Sequence, residues 1–257
     1  MFSQLTELPL YQQINFLLLV GSGLLTFILC LLPTKGSGGS TAQNLTLFYI
    51  GTTVFLYAST IFSTAPKQES GTTDFFTQLY LILLPLLLYA PLIICYAVYA
   101  CKHRFKPKCD HLGAVLIALG AIYACAMLLD VSGLHNFIQE QTGTPAEQSS
   151  ITLLKNKPIS EVIYIILSAV IVAPLIEEIF FRGFIFRLIS KRTGVVLAAA
   201  ISGLFFGAVH VSLMQTAALT CFGFIACILY HRTRSILYPI LMHMLFNGFT
   251  IAQIYFY

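Results

Sequence analysis

The chain has 257 residues, 58% apolar and 9% charged, with a formal net charge of +4 and a mean hydropathy of +0.85. Soluble domains carry about a quarter charged residues, so this composition excludes a soluble globular enzyme, a disordered chain and a secreted disulfide scaffold. The apolar residues fall in blocks, several reaching the roughly 18–20 residues that cross a bilayer as a helix.

In chain order, the blocks predict an all-α, polytopic transmembrane helical bundle of about eight spans. They run approximately Ile14–Leu32, Leu45–Ser63, Phe75–Ala100, Leu112–Leu129, Val162–Arg187, Val195–Val211, Leu213–Tyr230 and Ile236–Phe256. The third carries Pro85 and Pro91 and is expected to kink or tilt. The N-terminal Met1–Gln13 has no Lys or Arg, so it lacks the charged start of a signal peptide and the first block is expected to be retained. Val131–Gln141 reads as a short interfacial helix. The seven cysteines have no regular spacing and read as small apolar packing residues.

Basic residues fall in alternate loops: Lys35, then Lys102–Lys108, then Lys191 and Arg192, then Arg232 and Arg234. The positive-inside rule assigns these loops to the cytoplasm, which puts both termini outside. The basic run is read as a topology signal, not a nucleic-acid patch.

Ionisable residues inside the apolar blocks concentrate in the second half. The stretch Pro174-Leu-Ile-Glu177-Glu178-Ile-Phe-Phe-Arg182-Gly183 places two carboxylates and a guanidinium in one span. Each such charge costs roughly 2.5–3.5 kcal/mol at mid-bilayer, so it persists when it pairs, faces a wet cavity or does chemistry. Glu178 and Arg182 are i,i+4 neighbours that can pair. Glu177 lies about 100° round the helix and is free to point into a cavity.

Gly203, Phe206, Gly207 and His210 share one helical face, and Gly203 and Gly207 form a GxxxG that allows close helix approach. His243 and Asn247 share another face. Three helices thus supply a carboxylate base, two imidazoles and an amide, a kit suited to water attack on an amide. His and Glu also bind zinc, but the HExxH pattern is absent. One distance is awkward. His210 lies 18 residues beyond Arg192, which puts it ~12 Å deeper than its partners at 1.5 Å per residue. Helix tilt, or an interfacial segment at Phe184–Arg192, must close that gap.

These segments resemble the CPBP family (CaaX-protease and bacteriocin-processing) of intramembrane endopeptidases. EExxxR appears as Glu177-Glu178-Ile-Phe-Phe-Arg182, FxxxH as Phe206-Gly-Ala-Val-His210, and HxxxN as His243-Met-Leu-Phe-Asn247. The resemblance covers about Ile159–Thr250 and divides the chain into an N-terminal transmembrane region, 1–157, of unassigned role, and a protease-like core, 158–257. It implies a multi-pass integral membrane endopeptidase, in the inner membrane for a bacterial source, that cleaves membrane-associated proteins or peptides in the lipid bilayer. By the resemblance Glu177 is the general base assisted by His210, His243 and Asn247 donate to the oxyanion, and Glu178 and Arg182 support them. The family is described both as metallo- and as glutamate-dependent. If a divalent metal such as zinc is present, Glu177, His210 and His243 are its ligands. The competing readings are a transporter or channel and a catalytically inactive membrane scaffold.

Overall fold

A computed structural model describes residues 8–32, 44, 46–53, 75–102, 111–144, 163 and 166–256. Among them every regular element is helical. α1 is Leu10–Leu31, α2 Phe75–Lys102, α3 Leu112–Val131 and α4 the short Leu134–Thr142. Residues 46–53 form a further helical segment between α1 and α2. α5 (Ala173–Glu178) lies between π-helical stretches at Ser168–Val172 and Ile179–Phe186, and α6 is Arg187–Thr193. α7 (Val195–Val209), α8 (Leu213–Thr233) and α9 (Leu237–Phe256) complete the chain.

Among the described residues, four helices are long and apolar enough to cross a membrane: Leu10–Leu31, Leu112–Val131, Leu213–Thr233 and Leu237–Ile254. This is fewer than the eight spans that hydropathy suggests. Much of the expected Leu45–Ser63 span and the basic loop after Lys102 lie outside the described residues. The expected Val162–Arg187 span is instead a composite of α- and π-turns, and α7 is only 15 residues long.

Local sequence explains the breaks. Leu32 precedes Pro33, a position that disfavours helical ψ, and α1 ends there with Leu32 at φ −57°, ψ 136°. The guanidinium of Arg192 then takes over exposed helix-end carbonyls: its Nε donates to Leu32 O at 2.6 Å and its Nη2 to Cys30 O at 3.2 Å. Pro174 lacks an N–H and its ring crowds the carbonyl four residues back. The π-turn at Ser168–Val172 sits where that conflict arises, and π-turns are enriched at functional sites. Gly194, at φ 83°, makes the reversal between α6 and α7.

α7 is the centre of the bundle, packed on α8 along most of its length and on α1 at its other side. Glycines make this possible. A Cβ on Gly203 would lie 2.7 Å from the Thr220 carbonyl, and one on Gly207 2.6 Å from the Thr216 carbonyl. The facing Gly223 of α8 is as tight, its Cβ falling 2.7 Å from Gly203 Cα. With no side chain between them the two backbones touch, which is how small-xxx-small faces associate in a membrane. Gly183 plays the same part for α2, since the Tyr96 ring occupies the space its Cβ would take at 2.8 Å.

Gly207→Ala should therefore destabilise the bundle by about 1–3 kcal/mol, the usual range for overpacking. Gly120→Ala in α3, where nothing lies within 4 Å of the added carbon, should be neutral or stabilising by up to about 1 kcal/mol. Thermal unfolding of both variants in one detergent checks this, and equal melting points would contradict it.

Candidate active site

The site is built around a charge pair with no access to solvent. Arg182 Nη1 lies 2.9 Å from Glu178 Oε1, and both side chains are fully buried. The i,i+4 pairing survives the change from α- to π-helix between them. The guanidinium is surrounded by aromatic faces: its Cζ is 4.6 Å from the Phe206 centroid, 5.8 Å from Phe222 and 5.9 Å from Phe181. A cation at these distances is attracted to the ring faces, by about 2 kcal/mol or more when desolvated. Nη2 also reaches the Gly223 carbonyl at 3.4 Å.

Glu178 does more than neutralise Arg182. Its Oε1 also receives His243 Nδ1 at 2.8 Å. A carboxylate here accepts, so Nδ1 carries the proton, and that bond fixes the imidazole orientation. The Phe222 ring, 4.7 Å away and edge-on, fixes it further. His243 Nε2 then faces Glu177 Oε2 at 3.9 Å. Arg182, Glu178, His243 and Glu177 thus form one string running from the aromatic cage toward a cavity.

Glu177 points away from Arg182, as its place on the helix requires. Its Oε2 is buried and has no hydrogen-bond partner, while the side chain keeps 25% exposure. It lines a cavity of about 150 Å³ with Thr53, Tyr89, Ser168, Phe180 and Val209, among others. Burying a polar atom without a partner is costly, so this carboxylate oxygen calls for a polar partner on the cavity side.

His210 follows the last residue of α7. Its Nδ1 is 2.8 Å from the Phe206 carbonyl. The carbonyl can only accept, so Nδ1–H donates and Nε2 is left to receive. The next residue, Val211, has φ 52°, a left-handed conformation that is unusual for a β-branched residue and stores strain. The buried Asn15 of α1 donates to its carbonyl at 3.2 Å. The Phe206 ring lies 4.9 Å from the His210 ring and 5.9 Å from that of His243, so the FxxxH phenylalanine touches Arg182 and both imidazoles. The depth expected from residue counting does not separate His210 from this cluster.

Asn247 is held elsewhere. Its Nδ2 donates to the Ala169 carbonyl at 2.8 Å, tying α9 to the π-turn beside the cavity. As for a metal, no group of three His, Cys, Asp or Glu among the described residues is close enough to hold one. Zinc sites use at least three protein ligands, so Glu177, His210 and His243 do not fit that set. Phe222 and Phe181, which complete the cage, and the hydroxyls Thr53 and Tyr89 go unnoticed in the sequence. The aromatics are indistinguishable from span residues, but the hydroxyl groups inside apolar segments are a usable signal.

Removing one partner of a buried pair strands the other charge, typically at 3–5 kcal/mol. Arg182→Ala should lower stability by that order, and the double change Glu178→Leu with Arg182→Met should recover part of it. Thermal unfolding of the single and double variants tests this. Arg182→Ala melting like the parent would show that Arg182 is not a structural charge.

Comparison with known proteins agrees with the motifs. Residues 159–249 match the family described as type II CAAX prenyl endopeptidase Rce1-like. The chain is 30% identical over 145 residues to the "Putative membrane peptidase YdiL" of Bacillus subtilis (strain 168), covering 56% of this chain and 58% of that protein. It is 35% identical over 105 residues to an uncharacterized 24.3 kDa protein of Escherichia coli, covering 39% of this chain and 48% of that one. The matches thus span about half of each curated relative. No solved structure matches the chain. All three motifs fall inside the matched stretch, and with its four membrane-length helices the chain is a multi-pass integral membrane protein that is similar, over residues 159–249, to the type II CAAX prenyl endopeptidase Rce1-like family.

Proposed function

We propose that the protein is an intramembrane endopeptidase that hydrolyses peptide bonds of membrane-associated proteins or peptides with water activated by Glu177 and His243. The observation that carries this reading is the 3.9 Å gap between Glu177 Oε2 and His243 Nε2. It is too long for a direct hydrogen bond, whose N···O distance is about 2.7–3.2 Å. It admits a water that contacts both groups, beside a cavity with apolar walls.

The chemistry follows from the string of residues. Glu177 takes a proton from the water as its oxygen bonds to the scissile carbonyl carbon. The carbonyl oxygen gains the negative charge. When the tetrahedral species collapses the C–N bond breaks, and the proton held by Glu177 passes to the departing nitrogen. His243, fixed by Glu178, holds the water in line. His210 is held by its Nδ1–H bond to the Phe206 carbonyl, and Asn247 holds the cavity wall through Ala169. No metal enters these steps. Substrates anchored in the bilayer are favoured because the reacting groups sit on apolar helices. The similarity to a protein named as a membrane peptidase supports the same reading.

Glu177→Gln keeps the shape and removes the base. It should lower cleavage of a membrane-anchored peptide by about 10²–10⁴-fold, the usual contribution of a positioned base, with thermal stability unchanged. Purified protein in vesicles with a palmitoylated fluorogenic peptide library tests it. A variant as active as the parent would remove Glu177 from the mechanism.

A further inference from the structure

The hydrolysis proposed above leaves the developing negative charge on the carbonyl oxygen to be met. Two of the obvious donors are already engaged. His243 gives Nδ1–H to Glu178, and Asn247 gives one of its two amide hydrogens to the Ala169 carbonyl. Neither borders the cavity that Glu177 lines. The walls of that cavity contain hydroxyls from outside the stretch that matches the family, residues 159–249. Tyr89 belongs to α2 and Thr53 to the helical segment 46–53, and both line the cavity with Glu177.

These two groups form a supported unit. Tyr89 OH and Thr53 Oγ1 are 3.1 Å apart. Tyr49, one turn before Thr53, stacks on the Tyr89 ring at 5.2 Å with 26° between planes. Tyr49 is itself fixed, its OH donating to the Leu88 carbonyl at 2.7 Å. On the other side Tyr89 meets Phe180 of the π-turn at 6.1 Å. A phenol stacked on Tyr49, in contact with Phe180 and bonded at its oxygen has little freedom, which is the condition for a preorganised donor.

We infer that Tyr89 is a catalytic residue that donates its hydroxyl hydrogen to the scissile carbonyl oxygen, and that Thr53 is a positioning residue that donates to the Tyr89 oxygen. Thr53 has one hydrogen to give. When it goes to the Tyr89 oxygen, the phenolic hydrogen is left for the cavity. The oxyanion then forms between Tyr89 on one wall and the water held by Glu177 on the other. No proton leaves Tyr89: its O–H bond stays intact as the carbonyl oxygen becomes negative and reverts when the C–N bond breaks. The N-terminal helices thereby acquire a function, supplying one half of a site whose other half is the family core.

This rests on the peptidase reading, and the test separates the two. Parent, Glu177→Gln, Tyr89→Phe and Thr53→Val are compared in phosphatidylethanolamine–phosphatidylglycerol vesicles on one palmitoylated fluorogenic peptide. Tyr89→Phe should lower kcat by about 10²–10³-fold, the range for loss of one oxyanion donor, with KM within about threefold of the parent because the donor acts mainly in the transition state. Thr53→Val should lower kcat by roughly tenfold, again without a KM change, since a misplaced donor loses part of its effect. Parent activity with Tyr89→Phe at the parent kcat, or with a raised KM alone, would overturn the role of Tyr89 and leave the peptidase reading standing. If Tyr89→Phe fails to fold, Thr53→Val decides: a parent-like kcat in a variant that melts like the parent overturns the assignment. A parent that cleaves no peptide, or an active Glu177→Gln, removes the peptidase reading and this inference with it.

Discussion

The site depends on one fully buried carboxylate oxygen. Glu178 Oε1 is shared by Arg182 at 2.9 Å and His243 at 2.8 Å. Two charges placed at mid-bilayer cost roughly 5–7 kcal/mol on insertion scales. Their attraction at this separation is about 6 kcal/mol for an effective dielectric near 20. The terms nearly cancel, so the pair adds little net stability. What it provides is direction: a carboxylate that cannot turn toward water, and therefore an imidazole that cannot turn either.

The rest of the fold serves that arrangement. The aromatic cage of Phe181, Phe206 and Phe222 comes from three different helical segments, and it closes only because α7 and α8 touch at Gly203, Gly207 and Gly223. A methyl group at either α7 glycine would force the helices apart and draw Phe206 away from Arg182. The π-turns around Glu177 and Glu178 fit the same picture. They accommodate Pro174 and Gly183, admit Tyr96 against the backbone, and carry Ala169 to Asn247.

Much of this was legible in the sequence, for physical reasons. A charge in an oily block is so costly that it announces itself, so Glu177, Glu178 and Arg182 stand out. Helical spacing alone separates the carboxylate that pairs with Arg182 from the one that faces the cavity. The GxxxG of α7 likewise reads directly as a close approach. The double duty of Glu178 was not legible, because His243 reaches it across 65 positions of chain and no local period encodes that contact. The bond from Asn247 to the Ala169 carbonyl was not legible either, because it reaches a π-turn 78 positions away. The helical make-up of one span was not legible for a related reason. Hydropathy sees an apolar run at Val162–Arg187 but not the change of helical type within it.

The central claim concerns a proton: His243 carries it on Nδ1, toward Glu178, with Nε2 directed at Glu177. Nitrogen-15 NMR of histidine-labelled protein in bilayers reads this directly. The account predicts a protonated Nδ1 for His243 in the parent, retained in Glu177→Gln and lost or exchanging in Glu178→Gln. A parent in which Nδ1 is bare and Nε2 alone carries the proton would contradict it, because Glu178 would then have no part in orienting the imidazole.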